Sequence, residues 1–230
     1  MIKLVMPYDK KMNETNAKLD SIIDGYIQNT NSTGCNKTDY YLLYHNIRSN
    51  KFKTILECGT GVTTIAIAYA LYENYKETNN KGIVYSMEEN IKYYKQAVNL
   101  VPIFLQPFIS INYSKVTYDY YSVFRGVKYK NIPKKNYDFC FIDGPVFKIK
   151  NIKGRLTFDF DLLDILNDDP IYGFVDGRNI NCWVFKQIFG DKFTYIPEYG
   201  IVGVINGITR SDLEKISFGK FYENKLLGID

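Results

Sequence analysis

Hydrophobic and polar residues along this 230-residue chain follow two periods, one typical of strands and one typical of helices. Short apolar runs that stop at polar or Gly-rich turns predict strands, and stretches with apolar residues every three or four positions predict helices. The predicted strands cover 52–57, 82–88, 108–116, 137–144 and 171–177, and a closing hairpin covers 192–207. The predicted helices cover 13–29, with Asn13 as a cap, 38–49, 62–75, 89–101, 118–124, 157–167 and 179–190.

After two N-terminal helices, strand and helix alternate five times. This alternation predicts a parallel sheet with helices on both faces, and right-handed crossovers make such a sheet doubly wound. We therefore predict an α/β fold with a doubly wound, seven-stranded, mostly parallel sheet that closes with an antiparallel C-terminal hairpin. The expected organisation is a single globular unit, with a helical extension at 1–50, the α/β domain at 51–210 and a tail at 211–230.

Four candidate segments directly follow predicted strands, at the edge where doubly wound sheets bind ligands. They are 57–61, Glu88, Asp143 and Asp176. The two glycines of the first segment permit a sharp turn and a close approach of ligand to backbone. The helix that follows offers free amide groups at its N-terminus. Together these features predict a nucleotide-like ligand.

Composition narrows the class of protein. The net charge is only +4 and the lysines are spread along the chain, so no stripe of positive charge indicates a nucleic-acid partner. The single His and the absence of a CxxC pair argue against a zinc site, and Cys58 and Cys140 have the pattern of small buried residues. Since no apolar run reaches about 18 residues, we expect a cytoplasmic protein without membrane contact.

Three segments resemble the class I S-adenosylmethionine-dependent methyltransferases. They read TILECGTGVTTIAIA, VYSMEEN and YDFCFIDGP, and the closing hairpin is similar to the family's last two strands. The resemblance runs from about Thr54 to Asn206. It implies a Rossmann-like methyltransferase fold with S-adenosylmethionine as cofactor. The implied cofactor-binding residues are Glu57, Gly59, Thr60, Gly61, Thr63, Glu88, Glu89 and Asp143.

The resemblance also implies how the cofactor lies. Glu57 faces its positive amino-acid end, Glu88 accepts the ribose hydroxyl groups, and the adenine lies near Glu89. A nicotinamide dinucleotide is the alternative. The spacing from Gly61 to Glu88 is 27 residues, against about 20 in a dinucleotide fingerprint, and Thr63 stands in place of a third glycine. Both features favour S-adenosylmethionine.

The catalytic candidates are Asp143, Asp176 and Arg178. Asp143 is a candidate base, with a turn-forming role in Asp-Gly-Pro as the alternative. Asp143, Asp176 and Asn179 could bind magnesium, but Gly177 stands where metal-dependent family members usually have Asn, so we predict no metal. Arg178 could bind an anionic substrate group. A loop of solvated or anion-binding cations follows Asp143, namely Lys148, Lys150, Lys153 and Arg155.

The sequence after the fourth strand is Asp143-Gly144-Pro145-Val146, whereas family members that methylate adenine or glutamine carry (D/N)PP(Y/F) there. We therefore expect O-methylation of a small hydroxyl-bearing acceptor such as a sugar. Two alternatives remain: an inactive binding or scaffold protein on the same fold, and an enzyme that binds NAD or a nucleotide sugar. His45, the only histidine, is expected to pack rather than to catalyse.

Overall fold

A seven-stranded sheet between two helical layers forms the centre of the computed structural model, which describes residues 2–30, 36–121, 124–146, 158–196 and 202–214. The strands are β1 (Thr54–Cys58), β2 (Ile83–Glu88), β3 (Ile109–Tyr113), β4 (Val116–Tyr121), β5 (Phe124–Tyr129), β6 (Phe139–Ile142), β7 (Phe158–Asp159), β8 (Ile171–Asp176), β9 (Phe193–Ile196) and β10 (Val202–Ile208). The helices are α1 (Ala17–Ile27), α2 (Lys37–Asn50), α3 (Val62–Thr78), α4 (Ile91–Leu100), α5 (Asp161–Ile165), α6 (Asn179–Phe189) and α7 (Arg210–Glu214).

The strand order in the large sheet is β3-β2-β1-β6-β8-β10-β9. β10 pairs antiparallel with β8 and β9, and all other pairs of neighbouring strands in this sheet are parallel. The chain builds outward from β1 to β3 and then returns to place β6 on the other side of β1. The direction of winding therefore reverses between β1 and β6, and a crevice forms there at the carboxyl ends of the strands. The predicted α/β fold with a doubly wound, seven-stranded sheet is confirmed.

A second, three-stranded sheet was not predicted. It has the order β4-β5-β7. The predicted helix at 118–124 is wrong, because Val116 and Tyr118 alternate with Thr117 and Asp119 at the period of a strand, and this strand pairs with β5. The predicted strand at 108–116 is also wrong in extent. Ile109–Tyr113 form β3 of the large sheet, and Val116 already belongs to β4 of the small sheet.

The predicted helix at 157–167 is largely wrong as well. Phe158 and Asp159 form β7, which pairs with Gly126 and Val127, and only α5 is helical. The Phe158 and Phe160 rings pack 5.6 Å apart in the core. Burial of these aromatic rings against the small sheet overrides the local helical pattern.

The first helix begins later than predicted. Its cap is Asn16, whose side chain accepts hydrogen bonds from the amides of Lys18 and Leu19, whereas Asn13 ends a preceding 3-10 turn. Two tyrosines of α2 hold Asn16 in place. Its backbone N–H donates to the Tyr41 hydroxyl (2.6 Å), and its side-chain Nδ2 donates to the Tyr44 hydroxyl (2.8 Å). Tertiary contacts therefore decide which asparagine caps α1.

Two apolar cores lie on opposite faces of the large sheet. One is formed with α1, α2 and α3, and the other with α5, α6 and the small sheet. Successive residues of β1 alternate between them, so that Glu57 faces α3 whereas Leu56 and Cys58 face the second core. Cys58 and Cys140 are fully buried, as predicted. In the described part of the chain, none of the helices has the length and apolarity that a membrane crossing requires.

Gly173 in β8 and Gly25 in α1 should respond to alanine in opposite ways. A Cβ atom at Gly173 would lie 1.9 Å from the backbone oxygen of Cys140, which cannot move without breaking the sheet, whereas Gly25 has no atom within 4 Å. We expect Gly173→Ala to lower the free energy of unfolding by about 3 kcal/mol or more. Gly25→Ala should raise it by up to about 1 kcal/mol. Urea denaturation measures both, and an unchanged Gly173→Ala would contradict the packing of β6 on β8.

Candidate functional site

The crevice at the winding reversal holds a cavity of about 300 Å³. The segments that follow β1, β2 and β6 form one side, and residues of α1 and α4 form the other. The lining brings together seven of the predicted cofactor-binding residues and two of the predicted catalytic residues: Gly59, Thr60, Gly61, Thr63, Glu88, Glu89, Asp143 and Arg178, of which Asp143 had both roles. Glu57 and Asp176 are not in the lining.

The glycine turn after β1 lies against the turn after β6. Gly59 has φ of +100°, and a Cβ atom there would be 3.1 Å from the backbone of Asp143 and Gly144. A Cβ atom at Gly144 would in turn be 2.7 Å from the Gly59 nitrogen. The two turns touch through backbone alone, which only glycine allows at both positions. This contact fixes the floor of the cavity.

Glu57 lies behind the cavity wall, where it fixes the start of α3. Its carboxylate accepts hydrogen bonds from the hydroxyl groups of Thr63 and Thr64, each at 2.5 Å. The Thr64 hydroxyl also accepts from the Gly61 amide at 3.0 Å. Complete burial raises the pKa of Glu57 to about 7, against the opposing effect of these hydroxyl donors. The side chain thus shapes the loop, and its predicted contact with a cofactor remains a prediction.

Glu88 ends β2 and faces the cavity. It is only 5% exposed, and one carboxylate oxygen accepts from the Asn90 amide at 2.7 Å. Burial, followed by the neighbouring charge of Glu89, raises the pKa of Glu88 to about 7. An ionised carboxylate has about four acceptor positions, so Glu88 can accept from a bound molecule in addition to the backbone.

Both carboxylate oxygens of Glu89 accept hydrogen bonds from other parts of the protein. One accepts from the Tyr129 hydroxyl at 3.2 Å, and the other accepts from the Val146 amide at 3.0 Å. Glu89 therefore links the end of β2 to the small sheet and to the segment after β6. It contributes negative charge to the cavity wall while its position is fixed.

Arg178 lies beside Asp143, with only 8% of its side chain exposed. Its guanidinium donates to the backbone oxygens of Pro145, at 2.7 Å, and of Asp143. The guanidinium is 3.9 Å from the Asp143 carboxylate. These bonds hold the turn after β6 in place. Lys148, Lys150, Lys153 and Arg155, which were predicted as further cations of this loop, lie outside the described residues.

Burial raises the proton affinity of the two aspartates at this end of the sheet. The pKa of Asp143 is raised by desolvation in the crevice and then by the charge of Asp176, and is lowered by Arg178, while 42% of its side chain stays exposed. Burial raises the pKa of Asp176 to about 6. Asp143 thus combines access to the crevice with increased basicity.

None of the cavity-lining residues that come from the helices α1 and α4 was named as a site residue in the sequence analysis. Tyr26 and Thr30 come from the C-terminal end of α1 and the residues after it, and Tyr93, Gln96 and Ala97 come from one face of α4. Burial and the charge of Glu57 raise the pKa of Tyr26 to about 12, so its hydroxyl keeps its proton. The spacing of three and four residues on α4 is a helical face that the sequence could have revealed. No local signal brings α1 to the crevice.

Comparison with solved structures supports the fold, whereas comparison of sequences finds no relative. No protein-family model and no curated protein matches the chain. A methyltransferase from Geobacter sulfurreducens is similar in structure, with a TM-score of 0.52 and 10% sequence identity over 88% of this chain and 100% of its own. This chain has a Rossmann-like methyltransferase fold.

Two further solved structures are similar at lower scores. An O-methyltransferase from Bacillus cereus in complex with SAH has a TM-score of 0.49 and 13% identity, over 83% of this chain and 90% of its own. TomG, an O-methyltransferase from Streptomyces achromogenes involved in tomaymycin synthesis, in complex with SAM, has a TM-score of 0.44 and 12% identity, over 90% of this chain and 78% of its own.

The buried Glu57 predicts how stability depends on pH. Its pKa is about 7 in the folded chain against an ordinary value of 4.5, so the folded state binds the proton more tightly. This contribution is complete below about pH 4.5 and is lost as the pH rises through about 7. We expect Glu57 to lower the free energy of unfolding by up to about 3 kcal/mol over that interval.

Urea denaturation at a series of pH values measures this slope. Glu57→Gln should reduce it by the share that Glu57 contributes, because the amide does not titrate, whereas Glu88 and Asp176 still contribute to the slope. Asp168→Asn is the control, since it removes the same charge from an exposed side chain and should leave the slope unchanged. Equal slopes for the wild type and Glu57→Gln would show that Glu57 does not titrate as described.

Proposed function

We propose that the protein is a methyltransferase that uses S-adenosylmethionine and methylates a hydroxyl group of a small acceptor such as a sugar. The observation that carries this proposal is the charge of the cavity. Three carboxylate side chains and one guanidinium line its described wall. The guanidinium is already bonded to backbone oxygens of the turn after β6. The cavity therefore favours a ligand with net positive charge.

This charge distinguishes between the candidate ligands. S-adenosylmethionine carries a sulfonium and an ammonium group against one carboxylate, whereas NAD and nucleotide sugars carry a pyrophosphate. A pyrophosphate beside Glu88, Glu89 and Asp143 would meet like charges in a partly desolvated crevice. The positively charged groups of S-adenosylmethionine would lie beside these negative charges and be attracted to them.

The shape of the site fits the same ligand. The Gly59–Gly144 contact leaves the cavity floor without side chains, so that a flat adenosine group can approach the backbone. The cavity of about 300 Å³ lies at the small end of the range for ligand sites, which suits one mononucleotide-sized molecule. The fold, shared with a methyltransferase, is the third support.

In this proposal each wall residue has one role. Glu88 accepts hydrogen bonds from the ribose hydroxyl groups, and Glu89 borders the adenine. Gly59, Thr60 and Gly61 supply backbone to the methionine part. Glu57 acts through Thr63, whose hydroxyl it holds on the cavity wall, and adds negative charge behind it.

The acceptor binds at the Asp143 end of the cavity. S-adenosylmethionine supplies an electrophilic methyl group when bound. Asp143 takes the proton from the acceptor hydroxyl, and Asp176 increases its basicity. Arg178 donates to the Pro145 carbonyl oxygen and so holds the turn that carries Asp143 in one position. This orients the base toward the acceptor. A hydroxyl acceptor is preferred because a neutral amine needs no such base.

Glu88→Gln should weaken cofactor binding. Loss of a charged acceptor for the ribose costs about 1.5–3 kcal/mol, so the Kd for S-adenosylhomocysteine should rise by about 10- to 100-fold. Isothermal titration measures this change. Glu14→Gln is the control, because it makes the same chemical change on a side chain that is 67% exposed and outside the cavity.

The same titration tests the cofactor itself. S-adenosylmethionine should bind, and NAD should not. Binding of NAD without binding of S-adenosylmethionine would overturn the proposal in favour of a dinucleotide enzyme. An unchanged Kd in Glu88→Gln would refute the ribose contact alone.

Asp143→Asn should separate chemistry from binding. Removal of a general base lowers kcat by about 10²- to 10⁴-fold, while the Kd for S-adenosylhomocysteine should change by less than about threefold. The measurement is transfer of a radiolabelled methyl group to a panel of sugars and other hydroxyl compounds. Equal kcat values for the wild type and Asp143→Asn would contradict the role of Asp143. Cofactor binding without transfer to any acceptor would support the inactive binding protein instead.

A further inference from the structure

A cluster of three side chains with metal-ligating atoms lies beneath the glycine turn, on the opposite face of the large sheet from Glu57. It consists of Cys58 at the end of β1, Asp159 at the end of β7 and Asp161 at the start of α5, and we call it the thiol–carboxylate cluster. One sulfur or oxygen atom from each residue lies within 4.8 Å of the others. All three side chains are fully buried.

Backbone hydrogen bonds fix both carboxylates. One oxygen of Asp161 accepts from the Tyr129 amide, and one oxygen of Asp159 accepts from the Asp161 amide, both at 2.9 Å. The Asp159 amide itself donates to the side chain of Asn181 at 2.8 Å. Each carboxylate therefore uses one oxygen for orientation, as ligands of structural metals commonly do.

The second oxygen of each aspartate has no hydrogen-bond partner among the described residues, and neither has the side-chain nitrogen of Asn181. Asn181 is 1% exposed. Buried polar atoms without partners are rare in folded proteins, because each one loses its bonds to water without replacement. Two unpaired carboxylate oxygens in a cluster with a thiol need either a proton shared between the two aspartates or a bound cation.

We propose that the thiol–carboxylate cluster binds one zinc-like divalent cation as a structural site. A sulfur with two carboxylate oxygens is a donor set for Zn²⁺ and similar ions, whereas Mg²⁺ and Ca²⁺ take oxygen ligands. Ligand atoms around a tetrahedral Zn²⁺ are roughly 3.3–3.8 Å apart, which lies inside the 4.8 Å separation of this cluster. The fourth position would be taken by a second carboxylate oxygen or by water.

The local charges support a cation. A thiolate and two carboxylates carry three negative charges, and Arg178 acts on both Cys58 and Asp159 as a positive charge. A divalent ion together with Arg178 would neutralise the cluster. Without an ion, charged carboxylates in the interior would carry a large desolvation cost.

An ion in this cluster would connect three separate elements of the fold. Cys58 belongs to the large sheet, Asp159 to the small sheet and Asp161 to α5, so one ion would join all three elements. Cys58 also immediately precedes Gly59 of the cavity floor. The proposed site is independent of the cofactor and differs from the expectation of no metal, which rested on the single His, the absence of a CxxC pair and Gly177 after β8.

Metal content of the intact protein is the first test. Because the cluster is buried, the ion would enter during folding, so the protein is produced in cells grown with Co²⁺ or Zn²⁺ and purified without a metal-binding tag. We expect about one ion per chain, and in the cobalt form the near-ultraviolet charge-transfer absorption of a cobalt–thiolate bond. Less than about 0.1 ion per chain in both preparations would overturn the proposal.

Variants locate the ion. Cys58→Ser should remove the charge-transfer band and lower the metal content at least about tenfold, whereas Cys140→Ser, which changes an equally buried cysteine on the adjacent strand, should leave both unchanged. A band that persists in Cys58→Ser would place the ion elsewhere and refute the site.

A melting experiment separates a metal from a shared proton. Chelator should lower the Tm of the wild type by several degrees and have no effect on Asp161→Asn. If the two aspartates only share a proton, Asp161→Asn mimics the protonated form, and chelator will not change the Tm of either protein. That second result would overturn the proposal.

Discussion

The buried carboxylate of Glu57 is the interaction on which the candidate site depends. It sits at the end of the central strand and holds the first turn of α3 through two threonine hydroxyl groups. The Thr64 hydroxyl then fixes the amide of Gly61. A hydrophobic residue at position 57 would remove the acceptor that both hydroxyl groups share and would weaken the link between β1 and the start of α3.

The same constraint explains why the crevice is preformed. The glycine turn meets the turn after β6 through backbone atoms, and Arg178 and Glu89 both form hydrogen bonds to the backbone of that second turn. Charged side chains are thus used for position as well as for recognition. The groups that face a ligand are the Glu88 carboxylate, the exposed part of Asp143 and the backbone of the glycine turn.

The sequence was sufficient to predict the large sheet because each of its strands is a short apolar run that stops at a turn. The segments after β1, β2 and β6 were correctly placed at one edge, since parallel strands bring their carboxyl ends together. The small sheet could not be predicted from local pattern, because Phe158 becomes a strand only through its pairing with Gly126. Tyr26 and the thiol–carboxylate cluster depend on contacts between residues far apart in the chain, which carry no local signal.

The measurement that tests the account most directly is a crystal structure of the protein with S-adenosylhomocysteine. We expect the ribose hydroxyl groups on Glu88, the methionine part over the Gly59–Gly61 turn and the sulfur toward Asp143, with the Glu57–Thr63 and Glu57–Thr64 bonds intact. A ligand bound outside this crevice, or a ribose directed away from Glu88, would contradict it.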